Sequence, residues 1–181
     1  MTAAGLHLDA LRREMPPSAT TSSRIDEIQR IFDEAISVLR EVSHILPHSN
    51  VDRTGLAAAL DRLVGRFRKH SPGTIRLMVD SHTHARSQSQ RAMYRIAECA
   101  LENAVRHSEA SLIEVLFRPT ARGPELEVRD DGRGFQIDPE TAEPKGLGLM
   151  LMEHAAARAD LQFSLTTAVG AGTIVRILDP V

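Results

Sequence analysis

Beyond His70 the chain alternates short strand-like segments with longer helical ones, and that order leaves few folds open. TIRLMVD reads as a strand. A helix covers about Gln88 to His107, and SLIEVLFR and ELEVRD follow as consecutive strands joined by a hairpin. After a loop containing Gly and Pro, LMLMEHAAARA is helical, and LQFSLTT and TIVRIL close the chain as two more strands. A sheet that receives both hairpin and helical connections is mixed, and helices gathered on it make a two-layer α/β sandwich.

The region upstream is helical. LHLDALRRE is a short amphipathic piece, followed by the loop-forming MPPSATTSS. From Arg24 to Leu46, apolar residues fall at Ile28, Phe32, Ala35, Leu39, Val42 and Leu46, alternating four and three apart. This seam suits pairing with other helices, or packing on the helix's own domain. After Pro47 a further helix spans Asp52 to Lys69, with Leu56, Ala59, Leu60, Leu63, Val64 and Phe67 on one face. We divide the chain into a partial helical region at 1–50 and an α/β domain at 51–181.

Composition removes several classes of function. The 181 residues carry 22 Lys+Arg against 24 Asp+Glu, and no basic run is concentrated enough to neutralise a phosphate backbone, so nucleic acid is not an expected partner. Cys99 is the single cysteine, which rules out an internal disulfide framework and fits a reducing, cytoplasmic setting. No run approaches ~18 apolar residues, and no membrane contact by this chain is expected.

Three segments carry candidate chemistry. On the helix from Gln88, an apolar stripe of Met93, Ala97, Ala100, Leu101 and Ala104 leaves Cys99 and Asn103 one turn apart, with Arg106 and His107 on the next turn. An Asn carbonyl suits Mg²⁺, and Arg and His can meet phosphate oxygens. An ordinary solvated face, with Glu102 and Arg106 paired at i,i+4, explains the same residues. In ELEVRD, period two puts Asp130 on the side of Leu126 and Val128. An inward carboxylate at a strand end can accept a hydrogen bond from an amine such as that of adenine, and Gly132 and Gly134 permit close approach. A tight Asp-Gly turn capped by its own carboxylate is the alternative. Finally, GLGLMLMEH sets glycines at a helix start, where free N–H groups favour phosphate. Lys145, one of two lysines, ends the polar loop QIDPETAEPK and can reach a terminal phosphate.

Taken in order, YRIAECALENAVRH, DDGRGF, GLGL and GAGT resemble the asparagine box, the two glycine boxes and the Gly-Thr box of the GHKL (Bergerat-fold) ATPases, from about residue 75 to the end. Upstream, LREVSHILPHSNVDRTGLAAAL resembles the end of the dimerisation domain in the sensor histidine kinases that pair with helix-turn-helix response regulators. The resemblance implies a Bergerat-type sandwich preceded by a helical dimerisation segment, with ATP and Mg²⁺ as cofactors. It implies that Asn103 ligates Mg²⁺ and that Asp130 binds the adenine amino group. Gly132 and Gly134 would shape the adenine pocket, and Gly146, Leu147, Gly148 and Leu149 would flank the phosphates with Arg106, His107 and Lys145. Thr173 would support Asp130 through a hydrogen bond or water. The implied partners are a second copy, met through the N-terminal helices, and a response regulator.

Two departures qualify that transfer. The family carries a glutamate four residues before the metal-binding asparagine, where this chain has Cys99 preceded by Glu98. A thiol is a poor acceptor and base in place of a carboxylate. Nor does any segment match the context of the phosphorylated histidine; His7, His44 and His48 read as surface or packing residues, and the chain reads as starting after the phosphoacceptor. The expected function is the ATP-binding catalytic region of a sensor histidine kinase. A degenerate, nucleotide-binding dimer partner and a serine kinase of the anti-sigma-factor type are the alternatives.

Overall fold

The computed structural model describes residues 51–80, 82–136 and 147–180. The Ile28–Leu46 seam, the three upstream histidines, Lys145 and Gly146 lie outside the described residues. Those described all fall within the unit Ser49–Val181.

Helix α1 (Val51–Arg68) turns Leu56, Ala59, Leu60, Leu63 and Val64 into the core, as their spacing predicts. It bends at Gly55, whose backbone is not helical (φ 75°, ψ 165°). The bend falls where the Leu56 N–H donates to Gln90 Oε1 at 3.1 Å, so the second part of α1 begins tied to the next helix. Strand β1 (Thr74–Val79) follows, then helix α2 (Ser87–Asn103), β2 (Leu112–Thr120), β3 (Gly123–Asp130), α3 (Leu147–Arg158), β4 (Gln162–Thr167) and β5 (Thr173–Leu178). The sheet runs in the order β1-β2-β3-β5-β4, parallel between β1 and β2 and antiparallel elsewhere. The mixed two-layer sandwich expected from the sequence is therefore the fold.

One face of the sheet carries Ile75, Ile113, Val115, Phe117, Leu126, Val128, Val175 and Ile177, all buried with Met93, Ile96, Ala97 and Leu101 of α2. Removing each large side chain of this set from water contributes about 1.5–3 kcal/mol. The other face lacks helices among the described residues. Alternation along β2 and β3 sends Glu114 and Glu127 to that face, yet Glu127 is only 3% exposed. Arginines cover both carboxylates. Arg129 Nε donates to Glu114 and Arg176 Nε to Glu127, each at 2.7 Å, with Arg76 and Arg118 at the margins. These pairs let a sheet face carry buried charge without a second apolar layer.

Helix α2 differs from its predicted extent. Regular α-helix stops at Asn103, and one π turn (Ala104–Ser108) completes the segment. The Ser108 hydroxyl donates to the Ala104 carbonyl at 2.6 Å and accepts from the Ala110 N–H at 3.1 Å, which ends the turn at Glu109 in the left-handed region (φ 56°). A wider turn displaces Arg106 and His107 from the line that a uniform 3.6-residue period draws through Cys99 and Asn103.

Candidate nucleotide-binding site

The two carboxylates at the end of β3 have different partners. Asp131 accepts from the Ser111 hydroxyl at 2.6 Å and from the Leu112 N–H at 2.8 Å, and these bonds hold its carboxyl below the usual range. Asp130 sits opposite Ile113 and Thr173 in the sheet register, on the core side. Its Oδ1 accepts from the Gly132 N–H at 2.9 Å. Burial pushes the Asp130 carboxyl up; backbone bonds from Gly132 and Thr173 oppose the shift in part, and Asp131 adds to it. The Asp-Gly turn and the inward carboxylate, alternatives in the sequence, are thus present together.

The loop after Asp130 is confined on two sides. A Cβ on Gly132 would collide with the Ser108 carbonyl, and the next residue, Arg133, donates its N–H to that same oxygen at 2.8 Å. Gly134 has φ 58°, and a Cβ there would collide with the Ala168 carbonyl of the β4–β5 connection. Only glycine satisfies both the positive φ and that approach. The Gly170 N–H closes the contact by donating to the Arg133 carbonyl at 2.6 Å. The π turn therefore stands behind the loop and the β4–β5 connection beside it.

Asn103, Cys99 and Gly148 meet where α2 crosses the start of α3. A Cβ on Gly148 would lie 3.2 Å from Asn103 Nδ2, 3.3 Å from Cys99 Sγ and 3.4 Å from Asn103 Oδ1. The Cys99 thiol donates to the Gly148 carbonyl at 3.4 Å. Burial first, then Glu102 and Glu98, push this thiol up to about 11, against a lowering by Arg95, so it stays protonated at neutral pH. Glu98 pairs with Arg66 of α1 and so faces away from Asn103.

Other residues singled out in the sequence stand differently. Arg106 pairs with Glu102 at 2.9 Å, the solvated-face arrangement, and His107 is exposed beside it. Leu149 packs against the core. The backbone of Leu147 opens α3. The Thr173 hydroxyl lies 3.3 Å from that of Thr167, while its backbone bonds toward the Asp130 carboxylate. Sequence reasoning overlooked Ser108, whose hydroxyl bonds within and just after the π turn, and Thr167, whose hydroxyl accepts from Phe135, 32 residues away.

These donors suit a nucleotide with a hard cation. Asn103 offers one neutral oxygen, and Mg²⁺ in nucleotide sites takes one or two protein ligands and completes its shell with phosphates and water. Among the described residues, no group of three His, Cys, Asp or Glu side chains is placed to hold a metal. No described helix is long and apolar enough to cross a membrane.

Comparison with known proteins gives the family and the fold. Residues 88–180 match the family described as histidine kinase-, DNA gyrase B- and HSP90-like ATPase. The chain is 27% identical over 165 residues to the sensor histidine kinase ComP of Bacillus subtilis, covering 91% of this chain and 22% of that protein. It is 27% identical over 161 residues to the sensor histidine kinase LiaS of the same organism, covering 89% and 44%. The chain thus spans less than half the length of either relative. The histidine kinase domain of the Erythrobacter litoralis EL346 blue-light-activated kinase shares the fold, with a TM-score of 0.59 at 20% identity over 69% of this chain and 60% of that one. The chain belongs to the family of histidine kinase-, DNA gyrase B- and HSP90-like ATPases, and its α/β domain is an ATP-binding domain of that family.

Proposed function

We propose that this chain is the catalytic region of a two-component sensor histidine kinase, which binds Mg·ATP and passes the γ-phosphate to a histidine and from there to a response regulator. The observation that carries this reading is the convergence of Asn103, Cys99 and Gly148 at one helix crossing, close in sequence to the π turn that backs the Asp130 loop. In this reading Asp130 accepts from the adenine amino group, and Gly132 and Gly134 keep the pocket wall thin enough for the base. Asn103 ligates Mg²⁺. The backbone of Gly146, Leu147 and Gly148 contacts phosphate, while Lys145, Arg106 and His107 supply positive charge or donors near its outer oxygens. Thr173 steadies Asp130 through its backbone. Mg²⁺, when bound, neutralises phosphate charge; positioning and charge stabilisation account for most of phosphoryl transfer. The homodimer through the N-terminal helices and a cytoplasmic location belong to the same reading.

A second reading, a nucleotide-binding dimer partner with little chemistry of its own, draws on Cys99. Its thiol is held protonated and donates to Gly148, so it offers no base beside Asn103. Transfer of labelled γ-phosphate from ATP to a separately supplied, intact dimerisation domain separates the two. Labelling of the acceptor histidine is expected for a kinase. ATP binding without labelling would favour the regulatory partner.

A further inference from the structure

We propose that Thr167 is a positioning residue for nucleotide binding, its hydroxyl fixing the far end of the Gly132–Phe135 loop against the strand pair that carries Thr173. This rests on reading the loop as the wall of the adenine pocket.

Four backbone groups of the loop beyond Gly132 find partners outside it, the fourth being the Phe135 carbonyl, 3.5 Å from Thr167 Oγ1. Two of the bonds, Arg133 N–H to Ser108 O and Gly170 N–H to Arg133 O, join backbone to backbone. The third depends on a side chain: the Phe135 N–H donates to Thr167 Oγ1 at 3.1 Å, across 32 residues of sequence. The same hydroxyl is within donating distance of the Gly172 carbonyl, at 3.0 Å between oxygens, and the Thr173 hydroxyl lies 3.3 Å away. A chain of bonds thus runs from the loop's exit to the residue preceding Thr173, which is paired with Asp130 in the sheet. Donor and acceptor both use the one hydroxyl, so removing it breaks two links together.

Burial does not hold Phe135 in place, since the residue is 45% exposed. The loop's exit therefore depends on the hydrogen bond more than a buried aromatic would. Thr167 ends β4, the last strand in the sheet order, away from the large buried side chains of β2, β3 and β5. Replacing it with valine keeps its shape and strand preference, and the freed groups lie near solvent. The substitution should loosen the pocket while sparing the fold.

The test titrates Mg·ATP and Mg·ADP into the full chain as wild type, Thr167→Val and Thr167→Ser, with Asp130→Asn as a reference and thermal unfolding as a check. Thr167→Val should weaken ATP and ADP by the same factor, about three- to tenfold, as the loop loses its bond from the Phe135 N–H. Its Tm should stay close to wild type, and Thr167→Ser, which keeps the hydroxyl, should restore binding. Equal affinity in wild type and a folded Thr167→Val chain, or equal loss in the valine and serine variants, would overturn the assignment. If Thr167→Val does not fold, amide hydrogen exchange decides on the wild-type chain: a protected Phe135 N–H supports the tether, and exchange at the unprotected rate overturns it. Failure of the wild type to bind either nucleotide would instead overturn the pocket reading, with Phe135 protection still deciding whether the tether exists.

Discussion

The Cys99 thiol donates to the Gly148 carbonyl at 3.4 Å, so the residue standing where the family resemblance calls for a glutamate joins the middle of α2 to the first turn of α3. A carboxylate could not make this bond, because two acceptors would face each other. The position has exchanged a basic group for a packing contact. Its pKa near 11 keeps the thiol in the donor form.

Restoring the carboxylate by Cys99→Glu should raise turnover more than it changes affinity, because nucleotide contacts come from Asn103, Asp130 and the glycine segments. The gain should reach at least about tenfold, less than the ~10²–10⁴-fold that a fully placed acid/base group supplies. The longer, charged side chain must extend past the Gly148 carbonyl from a largely buried position, so folding is confirmed first. Hydrolysis and phosphotransfer by a folded, ATP-binding Cys99→Glu chain, with the acceptor domain supplied, measure the effect; unchanged rates would show that the missing glutamate is not the limit.

Asp130→Asn should weaken ATP and ADP about ten- to a hundredfold, the range for losing a hydrogen bond to a charged group. Fold stability should move the other way or stay level. Because burial raises the Asp130 carboxyl, its contribution to stability is present below the unfolded pKa and is lost as pH rises through the folded pKa. The ionised side chain therefore costs stability at neutral pH, and asparagine removes that cost while still accepting from Gly132. Wild-type affinity should fall on acidification at a pH above that of an ordinary aspartate, a dependence absent from the variant. Calorimetry across pH 4–7 (roughly the carboxylate-to-neutral span) checks both points.

Arg86→Ala should unfold the domain more readily without touching the pocket. Arg86 meets Asp179 through its backbone N–H at 3.0 Å and Nε at 2.7 Å, and Asp179 is 2% exposed. Burial alone would raise the Asp179 carboxyl, but the Arg86 bonds outweigh it and leave it lowered. Its stabilisation is present above the unfolded pKa and is lost as pH falls through the folded one. Removing the guanidinium leaves the buried carboxylate with the backbone N–H of residue 86 but without its charged partner, so the domain should unfold at lower denaturant. Denaturant unfolding measures the loss, and an unchanged midpoint, as for an ordinary exposed pair, would contradict it.

Much of this was legible in the sequence because two periods are hard to mistake. The 3.6-residue stripe of Met93, Ala97, Ala100 and Leu101 and the alternation of Leu126 and Val128 reappear as buried faces, with Asp130 half-buried on the latter. The π turn was not legible, since Ala104 continues the helical stripe and the wider turn is a property of the folded backbone. Nor was the burial of Glu114 and Glu127. Alternation assigns them to the outer face correctly, but their cover comes from arginines on neighbouring strands, which strand order decides. Thr167 escaped for a similar reason: its partners are Phe135, distant in sequence, and a turn whose geometry only the folded hairpin defines. The contact of Cys99 with Gly148 joins residues 49 apart, so neither motif announces it.

Titration of ATP into the intact chain by calorimetry, with and without Mg²⁺, and repeated on Asn103→Ala and Asp130→Asn, tests the central claim most directly. Saturable one-site binding is predicted for the wild type. Asn103→Ala should abolish most of the Mg²⁺ dependence while retaining metal-free affinity, and Asp130→Asn should weaken binding with and without the metal. A wild-type chain that binds no ATP, or two folded variants that bind it like the wild type with the same response to Mg²⁺, would contradict the account.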